Sequence, residues 1–210
     1  MTCIYCYFSC CKPQEVVGHR SVRSVITMHP RIVSRLQRLG LYQVAKLGNI
    51  NVDGDLIGGL VERWRSEMHS FNFNFGEMTV TLEDVSCLWG LSIQGNLITG
   101  ESDSGTFKDK LEQLLHRPVP ESAFRKQKRN IGGGDATRVT FSGYNLRLDW
   151  LRKEFVEVTD EHGEEYLDAY TRAFCLDLIG SILLPNGTGD SVPVMYIQFL
   201  KDLENSPEYN

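Results

Sequence analysis

The first periodic segment follows His29-Pro30, where Ile32, Val33, Leu36 and Leu39 recur at helical spacing with Arg31, Arg35 and Arg38 on the other face. Gly40 follows as a stop, and a second apolar turn, LYQVAKLG, closes at Gly48. Asp53 stands where an N-cap belongs. After it, Leu56, Ile57, Leu60, Val61 and Trp64 form an apolar stripe, with Glu62, Arg63 and Arg65 outside it. Gly58 and Gly59 each weaken that helix by about 1 kcal/mol relative to Ala, which close approach of another helix would offset.

The period then changes from helical to two. Phe71, Phe73 and Phe75 alternate with Asn72 and Asn74 as in a half-buried strand, and MTVT continues in β-favouring residues after Gly76. Thr81 and Asp84 have capping-box spacing, Val85, Leu88 and Trp89 form the inner face of a short helix, and Gly90 ends it. LSI-QGN-LIT reads as a hairpin around Gly95. TFKDKLEQLLHR (Thr106–Arg117) is amphipathic and is stopped by Pro118 and Pro120. Residues 118–143 read as a loop. NLRLDWLRKEF (Asn145–Phe155) starts a further helix. The longest one runs through DEHGEEYLDAYTRAFCLDLIGSILLP, acidic at its start and nearly apolar all round later. NGTGD is a turn, and VPVMYIQFLKDLE is a last helix. The pattern predicts a mainly α, multi-helix domain with a small central β-strand/hairpin element.

Residues 1–28 lack periodicity and form a Cys-rich segment expected to be poorly ordered; residues 29–210 carry the domain. Cys3, Cys6, Cys10 and Cys11 crowd together and could ligate zinc, but a structural site usually draws its second ligand pair from a separate knuckle. Cys87 and Cys175 read as small core residues. The N-terminus has neither the basic start nor the apolar run of a signal peptide. Ala173–Leu184 is shorter than the roughly 18–20 residues of a membrane span and contains Asp177.

With 41% hydrophobic and 23% charged residues and a formal net charge of −5, the chain has the composition of a globular protein without a global basic field. Basic residues nevertheless concentrate between Arg117 and Lys153, nine Lys/Arg against three Asp/Glu. Within that stretch Arg125, Lys126, Lys128 and Arg129 could neutralise phosphates or serve as a nuclear import signal; a solvated loop is the plainer alternative. The Phe71/Phe73/Phe75 row could equally stack bases or form a buried strand face.

Catalytic chemistry finds no foothold. The histidines His19, His29, His69, His116 and His162 make no metal motif. GESDSG misses the G-x-S-x-G register by one residue. IGGGDATR and NGTGDS lack the lysine or the third glycine of a phosphate loop. EHGEE could attract a cation but fits an acidic first helical turn.

The segment LVERWRSEMHSFNFNFGEMTVTLEDVSCLWGLSIQGNLITG closely resembles the signature of the plant mobile domain, the family that includes MAINTENANCE OF MERISTEMS. The match runs through Leu60, Arg63, Trp64, Arg65, Glu67, His69 and Phe71, then through Phe75–Thr79, Thr81, Leu82, Asp84, Val85, Gly90, Leu91, Gly95 and Gly100. LRLDWLRKEF, YTRAFCLDLIGSILLP, GDSVPVMYIQFLKDLE and SPEY resemble later family segments in the same order. The family usually continues into further helices, so the resemblance implies a partial plant mobile domain truncated at its C-terminus. It further implies a nuclear, non-enzymatic interaction module linked to transposon silencing, gene expression and meristem maintenance. Some members are long-form relatives of a serine/threonine phosphatase, which makes a phosphatase-like protein an implied partner. The family's label "aminotransferase-like" finds no lysine here in a recognisable pyridoxal-phosphate setting, and no cofactor is implied.

On this reading Trp64, Phe71, Phe75, Val85, Leu88 and Trp89 pack the junction between strand and helices, while Gly76, Gly90 and Gly95 allow turns. Arg63, Arg65, Glu67 and His69 are the polar positions for partner contact, or else members of a local hydrogen-bond or ion-pair network. The alternative function is direct nucleic-acid binding through residues 125–129.

Overall fold

The longest helix organises the molecule. In this computed structural model, which describes residues 28–47, 53–94, 107–125, 145–185, 189–201 and 203, Glu164–Leu178 forms one helix that continues through a π-type turn, Ile179–Leu183. From Leu167 to Leu178 all but Asp168 are buried. A helix apolar on every side has to be surrounded, and here it is packed by the other helices of the core.

In chain order the α-helices are α1 (Pro30–Arg38), α2 (Tyr42–Leu47), α3 (Gly54–Arg63), α4 (Leu82–Trp89), α5 (Phe107–Leu115), α6 (Leu148–Glu154) and the central α7 (Glu164–Leu178). Two three-stranded antiparallel sheets accompany them, β1 (Trp64–Arg65), β2 (Ser70–Phe73) and β3 (Gly76–Met78), then β4 (Phe124–Arg125), β5 (Asn145–Arg147) and β6 (Ser191–Pro193). The domain is mainly α with a small β component, as the hydrophobic pattern requires. α1, α2, α5, α6, β5, β6 and the closing 3-10 helix Val194–Leu200 share one apolar core with α7.

Three charged side chains of this core, Arg172, Arg152 and Asp177, are matched by specific partners. The Arg172 guanidinium is buried and donates to the carbonyls of Leu200 at 2.9 Å, Leu114 at 3.2 Å and Lys201 at 3.2 Å, which closes the ends of two helices. Arg152 on α6 makes a forked contact with Asp177 on α7, with nitrogen–oxygen distances of 2.7–3.0 Å. α1 is fastened to α7 by Arg31 and Arg35, both on Glu164, and by Arg35 on Asp168 at 3.2 Å. The Arg35 and Arg31 guanidiniums hold the Glu164 carboxyl below its ordinary pKa. The acidic start of α7 therefore has an ion-pairing role as well as a dipolar one, and Arg35 faces a neighbouring helix where helical spacing placed it on an outer face.

Gly180 shows how tight the packing is. A Cβ there would lie 2.8 Å from Val192 Cβ and 3.1 Å from Leu148 Cδ2, so only glycine lets the π-type turn meet β6 and α6. Among the described residues nothing lies within 4 Å of a Cβ at Gly58 and only Arg63 within 4 Å of one at Gly59, so no close helix approach is seen there, and Gly180 is where a close approach occurs.

Several expectations are corrected. Asn145–Phe155 is a strand followed by a helix, because residues 145–147 pair with both β4 and β6. The segment after Ser191 is likewise a strand, Ser191–Pro193, and then a 3-10 helix; Pro193, which can donate no backbone hydrogen bond, sits at the changeover. The loop expected over 118–143 contains Val119, Ala123 and Phe124 in the core, and Phe124 pairs with Leu146. The expected hairpin around Gly95 lies outside the described residues, as do residues 1–27.

The caps read from the sequence are present. Asp53 accepts from the backbone N–H of Asp55 and Leu56. Thr81 and Asp84 form a reciprocal capping box at α4, and Gly90 ends that helix with φ +68°. What fails is burial: neither α3 nor α4 has a buried residue. Leu56, Phe75, Leu88 and Cys87, expected inside, are exposed. Amphipathic spacing says which side of a helix is apolar; it does not say that anything covers it.

Candidate functional site

The sheet β1–β2–β3 sorts its side chains by chemistry. Residues directly opposite each other in an antiparallel pair share a face. The registers Trp64↔Phe71, Phe71↔Met78 and Phe73↔Gly76 therefore put Trp64, Phe71, Phe73 and Met78 together. Arg65↔Ser70 and Asn72↔Glu77 put Arg65, Ser70, Asn72 and Glu77 on the reverse. On that polar side the Ser70 hydroxyl donates to Glu77 Oε2 at 3.2 Å.

The apolar side is a row of rings. Trp64 meets Phe71 edge to face at 4.9 Å, Phe71 and Phe73 are 6.3 Å apart, and Phe73 and Phe75 stack at 5.2 Å with planes 3° apart. From Phe71 to Phe75 burial falls along this row. Phe71 is buried and Phe73 half-buried, whereas Phe75 is 78% exposed and Met78 54% exposed. α3 packs on β2 without covering the far end of the sheet. Gly76, at φ +133°, makes the turn that carries Phe75 to the edge. Exposed apolar positions continue at Val80, Leu82 and Leu88.

The β1–β2 turn is held in an unusual shape. His69 adopts φ +51°, a left-handed conformation that histidine takes more readily than most non-glycine residues. Its carbonyl accepts a hydrogen bond from the Thr79 hydroxyl at 2.9 Å, and its ring lies 6.5 Å from Trp64. Of the four polar positions expected to meet a partner, Arg63 donates from Nη1 to its own helix at Gly59 O, 2.9 Å. Arg65 lies on the polar side of the sheet, and Glu67 is exposed in the turn beside His69. Arg63, Arg65, Glu67 and His69 thus follow one another around the β1–β2 edge, and no ion pair joins Arg65 to Glu67 among the described residues.

The basic candidate site is divided. Arg125 belongs to β4 and forms an ion pair with Asp190, while Lys126, Lys128 and Arg129 lie outside the described residues. So do Cys3, Cys6, Cys10 and Cys11. Among the described residues no three His, Cys, Asp or Glu side chains gather as metal ligands would. Cys175 is fully enclosed, and burial pushes its thiol pKa up to about 12. A shallow pocket between α6 and α7 is lined by Leu151, Arg152, Phe155, Tyr170, Ala173, Phe174 and Asp177, and its two charged groups are engaged with each other. No helix among the described residues is long and apolar enough to cross a membrane.

The Phe71/Phe73/Phe75 row was legible as a candidate surface or a buried face, but alternation of Phe and Asn marks a two-sided strand without saying which side is covered. Asp177 did leave a signal: a carboxylate in an otherwise apolar helix needs a cationic partner.

A mainly helical core carrying a separate, half-covered aromatic sheet is the class of molecule in hand. The chain belongs to the plant mobile domain family, whose model matches residues 40–210. Among similar proteins of Arabidopsis thaliana, MAIN-LIKE 2 is 33% identical over 189 residues, which are 90% of this chain and 26% of that protein. The serine/threonine-protein phosphatase 7 long form homolog is 34% identical, over 84% of this chain and 12% of its own length. MAINTENANCE OF MERISTEMS is 27% identical, over 84% of this chain and 34% of its own. The chain thus spans about a third or less of the relatives it matches. No solved structure matches it.

Proposed function

We propose that this chain is a non-enzymatic interaction module of a nuclear plant mobile domain protein, acting in transposon silencing, gene-expression control and meristem maintenance. The observation that supports this reading is the exposed aromatic side of β1–β2–β3. Contiguous apolar surface of this kind marks contact sites in soluble proteins, and it lies within the segment that carries the family resemblance. Arg63, Arg65, Glu67 and His69 stand at its edge as the polar contacts. The names of two relatives add a meristem link and a phosphatase-like protein as a candidate member of the assembly.

The test is affinity capture from plant nuclear extract on the full chain, with and without nuclease. A fixed set of proteins that survives nuclease and moderate salt is the expected result. Recovery that requires intact nucleic acid and collapses with salt would transfer the function to residues 125–129 and overturn the proposal.

A further inference from the structure

Charge is distributed very unevenly between the two parts of the molecule. Described residues 53–94 hold seven Asp/Glu against Arg63 and Arg65, an excess equal to the net charge of the whole chain, −5. In the remaining described residues acids and bases balance, thirteen of each. That balance is also local: Arg31, Arg35, Lys108, Arg117, Arg125 and Arg152 all meet carboxylates of the helical body. Among the described residues the carboxylates of 53–94 form no ion pair. In sequence, Asp55, Glu67 and Glu83 stand beside the exposed Leu56, Met68 and Leu82, whereas Glu77 lies on the side of the sheet opposite Phe73 and Met78.

We infer that the exposed side of β1–β2–β3 receives a basic amphipathic segment of another protein, its apolar side chains against Phe73, Phe75 and Met78 and its Lys or Arg side chains toward the exposed carboxylates of residues 53–94. The inference rests on the interaction-module reading and names the chemistry of the partner.

Charge complementarity favours this occupant over a nucleic acid or a second copy of the chain. A nucleic acid would bring phosphates to a segment, residues 53–94, whose described residues carry a net charge of −5, which repels them. A second copy of the chain, docked about a two-fold axis, would set the same carboxylates against each other, and such like-charge juxtaposition costs several kcal/mol. A basic segment meets neither obstacle. The negative field of residues 53–94 steers its approach, and apolar contact supplies most of the affinity. The surface also suits a short segment. Phe75 is fixed by stacking on Phe73, so the central ring is ordered before binding, while Met68 and Met78 are flexible enough to fit several side-chain shapes.

The experiment selects a displayed peptide library on the full chain, then measures recovered peptides by fluorescence anisotropy. Recovered sequences should combine apolar residues with an excess of Lys and Arg, and Lys/Arg→Glu versions of them should bind about tenfold more weakly or worse. Phe75→Asp and, separately, Met78→Glu should each lower affinity about tenfold, with circular dichroism and urea midpoint unchanged because both side chains are exposed. Glu67→Gln with Glu83→Gln should weaken binding a few-fold and flatten its salt dependence. Recovery of neutral or acidic peptides, failure to recover any, or equal binding by Phe75→Asp would overturn the inference. So would Phe75-dependent self-association in sedimentation, or protection of Phe75 by added residues when the chain is lengthened to that of its relatives. Capture of the same nuclease-resistant proteins by Phe75→Asp would remove this inference alone, whereas nucleic-acid-dependent recovery would remove the broader reading.

Discussion

Breaking the Arg152–Asp177 pair one side at a time should cost far more than removing it whole. The Asp177 side chain is only 4% exposed and Arg152 is 21% exposed, and they meet through two guanidinium nitrogens between α6 and α7. Arg152→Met takes its forked partner from a carboxylate set among Leu151, Phe155 and Phe174. Loss of one partner of a buried pair costs about 3–5 kcal/mol, and the near-complete enclosure of Asp177 puts this variant at about 3–4 kcal/mol. Asp177→Leu strands the guanidinium, which can turn toward solvent, so about 2 kcal/mol is expected. The double replacement Arg152→Met/Asp177→Leu removes both charges of the pair together and puts apolar volume into an apolar interface. It should lie within about 1 kcal/mol of the parent. Urea unfolding followed by circular dichroism reads these values. With a slope of about 2.5 kcal/mol per molar, Arg152→Met should lower the midpoint by about 1.2–1.6 M and the double variant by less than about 0.5 M. A double variant as unstable as the two single losses added together would refute the reasoning, since it would mean that the two side chains act independently.

Three further outcomes are expected. Gly180→Ala should lower stability by about 1–3 kcal/mol through its clash with Val192 and Leu148, while Gly58→Ala in α3, with open space around it, should raise stability by about 0.5–1 kcal/mol; both are read from urea midpoints. The Asp84 carboxyl is held below its ordinary pKa by its hydrogen bonds with the Thr81 backbone and hydroxyl, so its support for α4 is present above the ordinary carboxylate range and disappears as pH falls through the lowered value. Amide exchange in α4 should therefore rise relative to α7 on acidification, and Asp84→Asn should remove that pH dependence. Iodoacetamide followed by peptide mass spectrometry should label Cys87 in the native chain but Cys175 only after unfolding, because Cys175 is buried and its thiol pKa lies near 12.

Local signals in the chain were sufficient wherever a few neighbouring residues decide the outcome. Asp53, the Thr81/Asp84 box and the stop at Gly90 could all be read directly, since a cap depends on groups three or four positions apart. The apolar run after Leu167 predicted a fully enclosed helix for the same reason. The signature between Leu60 and Gly100 indicated the family through residue identities alone, and the family model agrees. Only the assembled structure decided what lies opposite what. Residues 124–125, 145–147 and 191–193 form one sheet although each is too short to announce itself, because their hydrogen bonds are made across long stretches of chain. Gly180, rather than Gly58 and Gly59, became the point of close contact because Val192 and Leu148 arrive there from distant segments. The same reason explains the candidate site. Phe71, Phe73 and Phe75 carry one pattern in sequence, yet the first is buried and the last faces solvent, since burial is set by how far neighbouring elements reach across the sheet.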